Sequence, residues 1–167
     1  MRRPELLRAA HCSLWGMPLD QTFAGRSWPP TDTYLVGREK IREFAHAIGA
    51  TEAEYHDPEA ARALGYPDVV APPTFPVTIT MAASRQVVND PALGLDYTRV
   101  VHGDQKFAYT RPMVAGDAVV CVNTVDEITT RGGHWFITIR TEVRTEAGEP
   151  VVTAWSKLVQ RGEEAHS

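Results

Sequence analysis

Apolar residues recur with two different periods in the two halves of the chain. In REKIREFAHAIG (38–49), Ile41, Phe44, Ala45 and Ile48 fall at i, i+3, i+4 and i+7, an amphipathic helix closed by Gly49. The strand-like TYLV (33–36) precedes it. A second, shorter helix follows Asp57, a good N-cap, with Pro58 at its first position and Gly65 just past its end. In VVAPPTFPVTITMAASRQVVN, Pro72 and Pro73 block any earlier helix, Thr74 can cap, and Pro76 suits a first turn. From Phe75 to Ala83 the residues are apolar or small nearly all round, which predicts a helix buried on every side. Beyond residue 117 the period drops to two, in stretches 117–128, 134–145 and 150–160. Within the second of these, Trp135, Ile137, Ile139 and Val143 face one way, and His134, Arg140, Glu142 and Arg144 the other. Arg131-Gly132-Gly133 and Ala147-Gly148-Glu149 read as hairpin turns, and 100–112 as a fourth strand ended by Pro112. Helices first and an antiparallel meander afterwards make the fold class α+β.

Length and charge narrow the functional classes. The 167 residues suit one domain with a full core, expected over 17–162. Residues 1–16 are expected to be an extension ahead of a natural start at Met17 rather than at Met1, and 163–167 a tail. Intact mass of the protein from its own host tests that expectation. Net charge is −4 with no basic cluster, so nucleic acid is not an expected partner. No apolar run reaches the ~20 residues of a membrane span, and a cytoplasmic location is expected. Cys12 and Cys121 form neither a metal pattern nor a disulfide framework, so no metal and no cofactor are expected.

Four passages together resemble the MaoC-like hot-dog dehydratases and hydratases: YLVGREKIREFAHAIG, YHDPEAARALG, VVAPPTFPV and RPMVAGD (111–117). The likeness is greatest to the non-catalytic N-terminal type, including accessory subunits of mycobacterial (3R)-hydroxyacyl-carrier-protein dehydratases. It implies the hot-dog fold, an antiparallel sheet wrapped around a buried central helix. Active members resemble G-D-x-N-P-x-H-x-D ahead of the short helix, and interconvert a β-hydroxyacyl thioester with its trans-2-enoyl form and water. The weakly acidic α-proton needs a base, the thioester oxygen needs stabilisation and the leaving hydroxyl needs a proton; one Asp and one His divide the proton transfers. With Asp57 matched to the final Asp of that motif, Tyr55 takes the His position and Ala50 the Asp position, while Glu52 and Ala53 stand for Asn and Pro. Alanine exchanges no proton, and a phenol of pKa ~10 is a poor base near neutrality.

Shifting the register to use His56 leaves Thr51 where the acid belongs, so His56 and Asp57 are only a fallback pair, with His56 read mainly as a loop residue and Asp57 as a cap. The resemblance therefore implies no catalytic residue in this chain. It implies an accessory subunit that shapes the acyl channel beside a MaoC-like partner with an intact Asp/His loop, as a heterodimer, with homodimers also possible. The ligand is an acyl thioester of carrier protein (ACP) or CoA. Candidate channel residues are Val70, Pro72, Pro73, Thr74 and Phe75, with Arg111 near a phosphopantetheine or CoA phosphate; ordinary packing and a turn are the competing readings. Trp135 and Trp155 are expected in the core or a dimer interface. Two alternatives stay open: a self-sufficient hydratase or thioesterase using His56/Asp57 or Glu52/Glu54, and a non-enzymatic acyl-CoA or lipid-binding protein.

Overall fold

A computed structural model describes residues 18–162; the expected extension, Met17, Cys12 and the tail lie outside the described residues. The alternating stretches form β3 (Ala118–Arg131), β4 (His134–Thr145) and β5 (Pro150–Gln160), paired antiparallel in sequence order. The β3–β4 hairpin turns on Gly132 and Gly133, both at positive φ (59° and 78°), the two-residue geometry whose twist suits right-handed strands. β2 (Val100–Tyr109) returns beside β5, and the two-residue β1 (Tyr34–Leu35) pairs with β3, giving the order β1-β3-β4-β5-β2. The ten-residue β2 is thus one edge of the sheet.

Period-2 burial puts Val119, Cys121 and Val125 of β3 and Ile137, Ile139 and Val143 of β4 on the covered face. Against it lies α3 (Val77–Ala83), continued by the short α4 (Arg85–Val88). Phe75, just ahead of α3, is fully buried and meets Phe44 of α1 (Arg38–Ala47) edge to face, with centroids 5.5 Å apart. Burial pushes the Cys121 thiol up to about 12, so it stays protonated and inert.

Several expectations are corrected. The central helix starts at Val77, not Phe75. Residues 72–77 instead form turns closed by the Phe75 N–H on the Pro72 carbonyl (2.8 Å) and the Val77 N–H on the Thr74 carbonyl (3.1 Å). Pro76, which has no N–H to donate, takes the cap position, and Thr74 is exposed. Nor is α3 buried on every side: Ile79, Thr80 and Ala83 face the sheet, but Met81 is 51% exposed. A single sheet covers only one side of a helix. Ile48, the fourth member of the α1 stripe, is also exposed, because the helix ends at Ala47 and Gly49 turns the chain at φ 71°. Trp135 packs against the core, one of its two expected places; Trp155 lies on the outer face of the sheet, its indole N–H on Asp126 (3.1 Å) and Lys106 Nζ 4.8 Å from its ring centre, which leaves the dimer interface as its expected place.

One buried polar contact was not legible beforehand. Asn123 of β3 donates to the Ala83 carbonyl (2.9 Å) and Gln86 Oε1 (3.0 Å) and accepts from the Thr141 hydroxyl (2.8 Å), pinning the end of α3 to the sheet. Asn123→Leu leaves the buried Thr141 hydroxyl and Ala83 carbonyl without this partner and is expected to cost about 1–3 kcal/mol, measured by urea denaturation.

Candidate functional site

The loop after α1 is fixed at several points. Gly49 reverses the chain, the Ala50 N–H bonds back to the Ala45 carbonyl (2.9 Å), and Ala53–Tyr55 form a 3₁₀ turn. Asp57 caps α2 (Pro58–Ala63) as expected, accepting the Glu59 N–H at 2.9 Å. The Val70 N–H then reaches the Glu54 carbonyl (3.0 Å) and the Ala71 N–H the Met113 carbonyl (2.9 Å), so segment 70–71 lies between the loop and strand-like 113–114. These constraints leave a cleft of about 450 Å³ between the loop, the start of the central helix and the end of β2. Its walls include Glu54, Tyr55, Tyr66, Val70, Pro73, Tyr109 and Arg111. That volume falls among small-molecule sites, roughly 300–1,000 Å³.

Three phenols dominate the chemistry. Burial, then Glu52, Glu54 and Tyr66, raises the Tyr55 phenol above its ordinary range. Burial, and secondarily Tyr55, does the same to Tyr109, whose hydroxyl donates to the Pro73 carbonyl at 2.8 Å. Both phenols are neutral near pH 7 and poor bases, and that of Tyr109 is a hydrogen-bond donor. Arg111 is engaged within the chain: Nη1 and Nη2 each lie 2.9 Å from Asp117, Nε is 3.1 Å from Glu149, and Nη1 is 3.0 Å from the Pro112 carbonyl. Its hydrogen bond to Asp117 holds the guanidinium still more firmly charged.

The expected residues separate on this map. Val70, Pro73 and Arg111 line the cleft; Pro72 and Phe75 are buried, and Thr74 is exposed. His56 is not among its walls: Nε2 lies 2.9 Å from the Ala50 carbonyl and its ring sits beside that of His46, tilted 38° with centroids 5.0 Å apart. Asp57 is occupied by its cap, and of the acidic alternatives Glu54 lines the cleft. Tyr66 and Tyr109 were missed. The parity of β2, with Tyr109 two residues beyond the part-buried Phe107, could have found the second; nothing local marks the first. Among the described residues no group of three or more His, Cys, Asp or Glu side chains could hold a metal ion, and no helix is long and apolar enough to cross a membrane.

The segment feeding the cleft is held by Arg38, whose Nε and Nη2 donate to Asp68 at 2.7 and 2.6 Å. The Arg38 hydrogen bond holds the Asp68 carboxyl below its ordinary range. A folded-state pKa below the unfolded one stabilises above the unfolded value of ~3.9 and fades as pH falls through the folded value. The stability gap between wild type and Asp68→Asn, read from urea midpoints, is therefore expected to be constant near neutrality and to shrink below about pH 4.

A curled five-stranded antiparallel sheet around one central helix, with a cleft at that helix's start, defines a hot-dog protein of the MaoC-like dehydratase class. The chain belongs to the family described as FAS1-like, dehydratase domain region, whose model matches residues 22–154. It is 62% identical over 148 residues to a UPF0336 protein of Streptomyces avermitilis, covering 89% of this chain and 99% of that one. Among solved structures, it is similar to the truncated HadBC (3R-hydroxyacyl-ACP dehydratase) complex of Mycobacterium tuberculosis, with 29% identity, TM-score 0.74, and 82% of this chain and 96% of that chain covered. A MaoC-like dehydratase matches at 33% identity and TM-score 0.77 over 83% of this chain but 42% of its own.

Proposed function

We propose that this chain is the accessory, substrate-holding subunit of a (3R)-hydroxyacyl-thioester dehydratase in fatty-acid or related lipid synthesis. The proton transfers belong to a MaoC-like partner with an intact Asp/His loop. The observation that carries this reading is the pair of residues at the positions matching the family's acid and base: Ala50 has no group to use, and Tyr55 is a phenol held protonated. His56 does not rescue the site, because its ring points into its own loop. What the cleft retains is wall. Val70, Ala71, Pro73 and the three phenol rings suit an uncharged acyl tail, each buried methylene contributing about 0.8 kcal/mol. Arg111, with four hydrogen bonds inside the chain, serves as part of that wall rather than as a phosphate anchor.

The open edge of β2 supports pairing with a second hot-dog sheet, and the likeness to a dehydratase complex supports a heterodimer. The cytoplasm, where acyl-ACP and acyl-CoA are handled, is the place of work on this reading. The test is hydration of crotonyl-CoA by the purified chain, alone and mixed with the MaoC-like partner from its own host. Turnover is expected only from the mixture, and robust turnover by the chain alone sinks the proposal. One observation favours a second reading, a homodimeric hydratase or thioesterase: Glu54 places a carboxylate in the cleft beside Tyr55. In that case Glu54→Gln abolishes activity of the lone protein.

A further inference from the structure

Two of the polar groups in the cleft walls are already engaged. The Tyr109 hydroxyl answers the Pro73 carbonyl (2.8 Å), an acceptor orphaned because the residue three places on, Pro76, has no N–H to close a turn. Arg111 makes its four hydrogen bonds within the chain, and Asp117 and Glu149 offset its charge. Glu54, Tyr55 and Tyr66 differ. All three are half-buried and line the cleft. Among the described residues, the Glu54 carboxylate and the Tyr55 and Tyr66 hydroxyls have no hydrogen-bond or ion-pair partner. They also converge: after burial, what raises the Tyr55 phenol is Glu52, then Glu54, then Tyr66. One charged acceptor and two neutral donors thus share a stretch of the wall.

That combination discriminates between ligands. A plain alkyl chain filling the cleft takes water away from all three groups and offers them nothing, and a dry polar group without a partner costs affinity. A carboxylate or phosphate meets the like charge of Glu54. A ketone accepts from a phenol but leaves Glu54 unanswered, and an ammonium suits Glu54 but has no lone pair for a phenol hydrogen. A hydroxyl does both, donating through its hydrogen and accepting through its oxygen.

We propose that the acyl chain held in this cleft carries a hydroxyl on its tail, beyond the β-carbon, which donates to the Glu54 carboxylate and accepts from the Tyr55 and Tyr66 phenols. This rests on the acyl-cleft reading above, in which the β-hydroxyl itself lies with the partner's Asp/His loop. Glu54 is then a specificity residue of the accessory chain.

Titration calorimetry of the full chain with dodecanoyl-CoA, and with derivatives carrying one hydroxyl on successive tail carbons, tests the idea. At least one derivative hydroxylated beyond the β-carbon is expected to bind about tenfold tighter than the plain thioester, or more. Glu54→Leu should abolish that preference and tighten binding of the plain chain. Should Glu54→Leu not fold, Glu54→Gln replaces it; it keeps an acceptor without the charge, and the preference is expected to shrink severalfold. Tyr55→Phe combined with Tyr66→Phe, which keeps both rings, should also shrink it. Plain thioester binding as tightly as every derivative, or a preference unchanged in these variants, overturns this inference and leaves the acyl cleft standing. A preference confined to the β-hydroxy thioester overturns it too, because the reacting carbons would then lie against this chain. No binding of any thioester by wild type removes the acyl-cleft reading, and this inference with it.

Discussion

Alanine at His56 is expected to leave turnover of the assembled dehydratase within about twofold of wild type, whereas replacing the loop histidine of the catalytic partner lowers kcat by about 10²–10⁴. The asymmetry follows from where the imidazole sits. General base catalysis needs the base within hydrogen-bond reach of the proton it removes. The His56 ring is spent on the Ala50 carbonyl of its own loop and lies beside His46, outside the cleft walls. Its removal costs a loop contact and no proton-transfer group. Crotonyl-CoA hydration by the reconstituted complex, with each variant in turn, measures both effects. A loss of a hundredfold or more from His56→Ala, with the complex still assembled, would place the chemistry in this chain and defeat the accessory-subunit proposal.

Phe75→Ala is expected to destabilise the chain by about 3–5 kcal/mol, lowering Tm by roughly 10 °C. Phe75 is fully buried and couples α1 to the start of the central helix through its edge-to-face contact with Phe44. Truncation loses the transfer energy of the ring, the aromatic contact, and the packing around the void left behind. The neighbouring backbone is stiffened by Pro72, Pro73 and Pro76, so it collapses poorly into that space. Because Pro73 is a wall of the cleft, acyl-CoA affinity should fall as well. Urea and thermal denaturation read the first effect and calorimetry the second. A loss below about 1 kcal/mol would show that the helix start does not depend on this ring.

Much of the fold was open to inspection in the residues themselves. The hairpin on Gly132-Gly133, the Asp57 cap and the period-2 strands are local matters of backbone freedom and alternation, and they are formed as expected. The residues behind the accessory-subunit proposal were equally visible, since Ala50 and Tyr55 stand where the resemblance puts the family's Asp and His. The phenol-lined cleft was not. Tyr66 and Tyr109 are far apart in sequence, and neither looks unusual in its own segment. Arg111 illustrates the same limit: as part of a turn it could meet a phosphate or a carboxylate. Only the approach of Asp117 and Glu149 decides that three of its N–H groups go to carboxylates of its own chain.

By itself the sequence determined the period-2 strands, the first helix and the capped short helix, and which residues stand at the positions matching the family's acid and base. It also showed that the segment from Phe75 to Ala83 is apolar or small nearly all round. Tertiary structure alone decided which side of that helix the sheet covers, leaving Met81 outward. It alone brought the Tyr109 hydroxyl to the Pro73 carbonyl. Periodicity reports that a face is suited to burial, because it depends on the direction of each side chain from its own backbone. What covers that face, and which distant donor answers an orphaned carbonyl, depends on how elements pack in space, and a single sheet can reach only one side of a helix.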